Sequence, residues 1–299
     1  MRSSQNLRRE AIAFVHSGAE FAPTPRSEID DWRWIEGGRK ALRGWNNGPH
    51  RRKFVVAEGR CRETPQASDR TGPMTFWAEW EPHSIATPLI LSGEHGPNAT
   101  PSFAHEPFLV RGTTGVQNTD PFVFGDCFWF TNCHQRRYVR LRKLDRGAVV
   151  LFGTTYRQYF AVDTVFVVET ACTPDDYLRT PTLAPEQLRL ATLDLHGLAE
   201  NNRDFVFYKG KTPSGGPPFS FVPCRPVEHG GPRGHPRLML DRAEFSIRGN
   251  TQGVSRIPRT TDMEALSDLW RRLAEQCLVQ NLHLGHWVAP PPIVDNPPM

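Results

Sequence analysis

Trp77, Trp80, Phe128 and Trp129 are interleaved with Glu79, Glu81, Asp120 and Asp126, and this mixture is suited to recognising a planar heterocycle. Aromatic faces stack on bases, and carboxylates or amides at the edge accept from ring N–H groups and exocyclic amines. Asn118 and Gln135 add amides, and Arg136, Arg137, Arg140, Arg142 and Lys143 follow as a basic run that could contact phosphate. The competing reading makes the tryptophans core, the acids strand ends and the basic run a solvated face. Strict alternation puts Trp77 and Trp80 on opposite faces of one strand, so their joint use needs a bulge or a strand end.

For catalysis the candidates are Glu79, Asp126 and His134 as acid–base groups. Cys133 with His134 is a poor nucleophile–base pair, because adjacent residues on a strand point apart. Cys127, Cys133 and His134 supply at most three zinc ligands at poor spacing, so neither a metal site nor a cofactor is expected. Asp163 interrupts the apolar run Phe160-Ala-Val-Asp-Thr-Val-Phe166. A buried carboxylate there must be paired, either structurally with backbone N–H groups or by facing a binding site. The chain has no phosphate-binding glycine loop, dinucleotide fingerprint, G-x-S-x-G elbow or H-E-x-x-H zinc helix.

The elements that must hold these groups follow from pattern. Leu7 to His16 and Ser27 to Trp45 are expected to be helices, and Lys53–Ala57 and Thr75–Glu81 strands. Residues 82–121, punctuated by prolines, read as one long functional loop. Val149–Phe152 and Tyr159–Val168 form the firmest strand pair, entered through Asp145-Arg-Gly147. A helix over Thr182–Leu195, short strands at Phe205–Tyr208 and Phe219–Pro223, and a Gly/Pro/His loop over 224–236 come next. Thr261-Asp-Met-Glu264 reads as a capping box opening a helix to about Gln280, with Leu266, Leu269, Trp270, Leu273 and Cys277 as its core stripe. The Pro-rich tail over 289–299 is expected to fray.

With 38% hydrophobic residues in 299, the chain can bury a full core and is not disordered. One elaborated α+β domain over 1–288 is expected, its core near 50–225: a mixed, strongly bent sheet or small barrel with peripheral helices. The six cysteines are scattered and no signal peptide is evident, so a cytoplasmic protein with reduced thiols is the expectation. No apolar run approaches the roughly 20 residues a bilayer requires, so no membrane partner is expected.

Leu144-x-x-Gly147-x-Val-Val-Leu-Phe152, followed by Phe160-Ala-Val-Asp-Thr-Val-Phe-Val-Val168, resembles the central strand pair of PUA-like barrels, the superfamily of ASCH, EVE and YTH-type modules. Phe76-Trp-Ala-Glu-Trp-Glu-Pro82 with Asn118-Thr-Asp-Pro-Phe-Val-Phe-Gly-Asp126 is similar to uncharacterised bacterial proteins associated with nucleotide modification or phage defence. The resemblance implies an aromatic-lined cleft for RNA, DNA or a modified base. Three functions follow as expectations. The first is recognition of a nucleotide, modified base or nucleic acid through Trp77, Trp80, Glu81, Asn118, Asp120, Asp126, Gln135, Arg136, Arg137, Arg140 and Asp163. The second is an enzyme, a hydrolase or base-modifying activity, in the same pocket. The third is a scaffold within a larger assembly.

Overall fold

The computed structural model describes residues 7–16, 19–20, 29–30, 51–89, 100–112, 119–194, 197–248, 253–260 and 262–296. In chain order its first strands are β1 (Ala11–Val15), β2 (Ala19–Glu20), β3 (Ile29–Asp30), β4 (Arg51–Arg62), β5 (Arg70–Glu79) and β6 (Ser84–Pro88). Next come β7 (Phe103–Pro107), β8 (Leu109–Val110), β9 (Trp129–Phe130), β10 (Val149–Tyr156), β11 (Tyr159–Cys172) and β12 (Phe207–Gly210). The last are β13 (Val222–Pro226), β14 (Leu238–Asp241), β15 (Gly253–Arg256), β16 (His283–Val288) and β17 (Ile293–Val294). The α-helices are α1 (Pro174–Arg179), α2 (Glu186–Leu188), α3 (Leu198–Asn201) and the long α4 (Met263–Val279).

The architecture is α+β, with two mixed sheets and few helices. One sheet runs β15-β1-β10-β11-β12-β9, with β14 also on β11. The other runs β16-β13-β5-β4-β7-β6-β3 and closes on itself, because β16 also pairs with β4. Strands β4, β5, β13 and β16 thus form a four-strand antiparallel ring.

The β10–β11 hairpin is buried on both faces, from Val149 to Thr154 and from Phe160 to Val168. Such doubly covered strands need continuous apolar sequence, which these have. Gly153 marks a register shift in the pair. A Cβ at Gly153 would stand 2.1 Å from the Ala161 carbonyl oxygen, so only glycine fits the close approach.

Leu7–His16 is not a helix. Ala11–Val15 is buried throughout and pairs in parallel with Val149–Gly153 of β10, so five consecutive apolar residues make an inner strand rather than one side of a helix. Most of Ser27–Trp45 lies outside the described residues, and Ile29–Asp30 within it is a strand paired with β6. The expected loop over 82–121 contains β6, β7 and β8. The prolines Pro88 and Pro107 end short strands here rather than breaking a loop.

The strand expected at 53–57 extends to β4, the one expected at 75–81 starts earlier and ends at Glu79 as β5, and those expected at 205–208 and 219–223 start later, as β12 and β13. The expected 224–236 loop therefore begins only after Pro226. The expected helix over 182–195 is broken into α2 and a π-helical turn at Arg189–Leu193. The tail does not fray up to β17, which lies parallel to β8.

Helix α4 is capped by Asp262, whose side chain accepts from the Ala265 amide at 2.8 Å, one residue beyond the expected Thr261. Its expected stripe is buried as read. Each such apolar side chain contributes about 1.5–3 kcal/mol on burial, and Trp270 Nε1 donates to the Phe219 carbonyl at 2.7 Å. Among the described residues no helix is long and apolar enough to cross a membrane.

Candidate functional site

Three elements meet at Cys133. Strand β1 ends at Val15, and its next residue, His16, is fixed by its amide, which donates to the Gly153 carbonyl at 2.8 Å. Glu79 ends β5 and faces Arg52 directly across the β4–β5 ladder. Cys133 lies in the turn after β9, held from beneath by Asp120. That carboxylate accepts from the amides of Thr131 at 2.8 Å, Asn132 at 2.8 Å and Cys133 at 2.6 Å. Burial pushes the Asp120 carboxyl up to about 7, while those three amides pull it down. Immediately after the thiol, His134 adopts φ 56°, a left-handed conformation that a β-carbon disfavours and a tight turn imposes.

These groups form a relay. Cys133 Sγ lies 2.9 Å from His16 Nε2, and His16 Nδ1 lies 2.6 Å from Glu79 Oε2. Glu79 Oε2 also accepts from Arg52 Nη1 at 2.6 Å. Arg52 Nε donates to Asp163 Oδ2, and Arg237 Nε lies 2.9 Å from Asp163 Oδ1. The Arg237 guanidinium sits 4.2 Å from the centre of the Trp77 ring. Every member is buried, with Cys133 the most exposed at 5%.

Among the described residues, two guanidinium cations face two carboxylates in this buried chain. Although burial opposes its charge, Asp163 and Glu79 hold the Arg52 pKa above its ordinary value. Burial pushes Arg237 down to about 10, which still leaves it a cation at neutral pH.

The tautomer follows from the partners. A carboxylate can only accept, so His16 donates Nδ1–H to Glu79 and presents Nε2 as an acceptor to the Cys133 S–H. That is the nucleophile–base–orienter arrangement of covalent catalysis. Asn132 Oδ1, Thr119 Oγ1 and Arg52 Nη2 are buried without a hydrogen-bond partner among the described residues. A cavity of about 490 Å³ lies elsewhere, at Gln158, Asp241 and Arg242, and none of its lining residues is a thiol or imidazole.

The aromatic residues expected to line a pocket are buried. Trp77 and Trp80 are both core: Trp77 Nε1 donates to the His235 carbonyl at 3.3 Å, and Trp80 Nε1 to the His83 carbonyl at 2.9 Å. Both faces of β5 are covered from Met74 onward, so alternation separates two interiors rather than inside from outside. Phe128 and Trp129 are likewise buried. Trp77→Ala is therefore expected to cost about 3–5 kcal/mol and to lower the thermal midpoint markedly. An unchanged melting curve by circular dichroism would return Trp77 to the role of a stacking platform.

The other expected site residues separate. Glu79 and Asp163 belong to the relay, and Asp120 and Gln135 build its support. The Gln135 amide donates to the carbonyls of Thr131 at 3.1 Å and Val206 at 2.7 Å, and accepts from the Val206 amide at 2.9 Å, so it staples the turn rather than reading a ligand. His134 stacks on Tyr138 beside the thiol, with ring centres 5.7 Å apart. Asp126 is exposed, Glu81 is half-buried, neither is part of the relay, and Asn118 lies outside the described residues. Arg136 and Arg137 are exposed, whereas Arg140 reaches Glu10 at 3.4 Å.

Sequence reasoning missed His16, Arg52 and Arg237. As a nucleophile, Cys133 is paired by sequence spacing only with its neighbour His134, while its base is the residue that follows β1. Comparison with known proteins found no matching family model, no matching curated protein and no matching solved structure.

Proposed function

We propose that this protein is an enzyme that uses Cys133 as a nucleophile on an electrophilic carbon of a nucleotide or of a base in nucleic acid. The Cys133–His16–Glu79 relay is the observation that carries this reading. His16 takes the thiol proton at Nε2, and Glu79 orients the ring and stabilises the imidazolium that forms. The nucleotide class rests on two weaker supports, the exposed Arg136 and Arg137 just beyond the nucleophile and the PUA-like resemblance of β10–β11. Recognition without turnover is the alternative these same arginines would serve.

One observation favours a second reading. Ligand atoms of His16, Cys133 and His134 all lie within 4.8 Å of one another, close enough to hold a metal ion. A tetrahedral zinc site separates its sulfur and nitrogen ligands by roughly 3.5 Å, and the 2.9 Å between Cys133 Sγ and His16 Nε2 is shorter. A direct thiol–imidazole hydrogen bond explains that distance better than an intervening ion.

The test is the pH titration of thiolate ultraviolet absorbance, which needs no reagent to reach the buried sulfur. The signal lost in Cys133→Ser should titrate well below the ordinary cysteine value of about 8.5, and His16→Gln should return it there. Chelator treatment should leave the curve unchanged. A Cys133 signal that appears only near the ordinary value would overturn the nucleophile, and a chelator-dependent one would move the site to the metal reading. For the substrate class, replacing Arg136 and Arg137 with Ala should weaken binding of a single-stranded oligonucleotide and flatten its salt dependence.

A further inference from the structure

A second pair of thiols lies inside the four-strand ring, on strands that carry none of the Cys133 turn. Cys61 of β4 pairs with Gly285 of β16, and on the other side of β16 Cys224 of β13 pairs with His283. The strand between them has no side chain at the decisive position. A Cβ on Gly285 would stand 2.9 Å from Cys224 Sγ, so the glycine opens the space the sulfur occupies. Registered partners, and residues two apart on a strand, share one face, so Cys61, Gly285 and Cys224 lie on the same face and the Cys224 sulfur sits over the glycine that Cys61 faces. His283 Nδ1 lies 3.9 Å from Cys61 Sγ.

Cys61 also lines a cavity of about 90 Å³, together with Arg70, Thr71, Pro73 and Pro226. A water molecule occupies roughly 30 Å³ of liquid, so a molecule the size of hydrogen peroxide fits. Cys224 does not line this cavity. Of the two thiols, only Cys61 faces this small-molecule entry.

We propose that Cys61 and Cys224 form a dithiol oxidised by hydroperoxides, in which Cys61 attacks the peroxide and Cys224 resolves the product to a disulfide. In the first step the Cys61 thiolate attacks one peroxide oxygen. An S–O bond forms, the O–O bond breaks, and the departing hydroxide takes up a proton to become water. In the second step Cys224 sulfur attacks the Cys61 sulfenic acid. The S–S bond forms, the S–O bond breaks, and hydroxide leaves with the Cys224 proton as a second water. Both sulfurs are oxidised by one electron each, and one peroxide is reduced to two waters.

The division of labour agrees with the surroundings of each thiol. Hydrogen bonding from Cys224 brings Cys61 down to about 5 against the opposing effect of burial, with His283 and Arg70 assisting. Burial raises Cys224 well above its ordinary value, which suits a thiol that waits for the sulfenic acid rather than one that attacks first. A metal cage is the weaker assignment for this cluster. Cys224 and Cys277 turn their sulfurs to the His283 carbonyl, at 3.6 and 3.5 Å. Among the described residues only His16, Cys133 and His134 gather closely enough to hold an ion.

The experiment treats reduced full-length protein with stoichiometric hydrogen peroxide, blocks the remaining thiols under acid quench, and maps the peptides by mass spectrometry. The expected product is a Cys61–Cys224 disulfide, formed about 10-fold or more faster than any disulfide in urea-unfolded protein. Cys224→Ser should leave Cys61 as a sulfenic acid trapped by dimedone, and Cys61→Ser should protect Cys224 at the same dose. The wild-type map alone decides the matter if either variant fails to fold. A Cys61 that survives while Cys133 is oxidised would overturn the proposal, as would zinc retained by the wild-type protein and lost in Cys61→Ser. Because the map resolves Cys133 separately, failure here leaves the Cys133 relay standing, and failure of the relay leaves this pair standing.

Discussion

Glu79→Gln is expected to lower any Cys133-dependent turnover by about 10²–10⁴-fold, the range for losing the orienting carboxylate of a nucleophile–base pair. The substitution keeps the shape and removes the charge. Glu79 Oε2 now accepts from both His16 Nδ1 at 2.6 Å and Arg52 Nη1 at 2.6 Å. A glutamine oxygen in the place of Oε2 has two lone pairs and can keep both hydrogen bonds, so the neutral tautomer survives; what is lost is the negative charge that stabilises the imidazolium formed when His16 takes the Cys133 proton. Nitrogen chemical shifts of the imidazole should show less imidazolium at a given pH. Glu79→Asp keeps a carboxylate and should restore it even where geometry lowers the rate. If Glu79→Gln leaves the thiolate titration as in the wild type, the relay does not govern Cys133.

The parts of this fold that were legible in the sequence are those where one element states its own environment. Val149–Phe152 and Phe160–Val168 are continuously apolar because both faces are covered, and α4 carries its stripe and cap within one helix. Asp163 could be recognised as a carboxylate needing partners, but they come from Arg52 on β4 and Arg237 just before β14, which no local pattern connects to it.

His16 illustrates the same limit. It follows a five-residue apolar run whose period alone cannot separate a short inner strand from a buried turn of helix. Only pairing with β10 places its ring against Cys133. The tryptophans failed for a different reason: a stacking platform and a core use the same residue types. The distinction depends on whether the second face of β5 is covered, and residues 219–238, far along the chain, help to cover it.

Arg52→Met is expected to be the most destabilising single change in the site, at about 3–5 kcal/mol. Methionine is of similar length and apolar, so the loss isolates the charge. Arg52 is fully buried and joins two carboxylates. Its removal takes a cation away from both Glu79 and Asp163, and a buried anion short of a cation costs more than the original pair contributes. At roughly 2–4 °C per kcal/mol for a chain of this size class, the thermal midpoint should fall by roughly 6–20 °C.

Arg52→Lys should lie between the two, because an ammonium is a point charge that cannot span both carboxylates as the guanidinium fork does. The decisive comparison is Arg52→Met in an Asp163→Asn background. If the carboxylate is what makes the loss costly, the second change should recover part of it, giving a coupling of about 0.5–3 kcal/mol between the two positions. Strict additivity would mean that Arg52 stabilises by packing alone. The charge balance that lets Glu79 remain ionised next to His16 would then need another source.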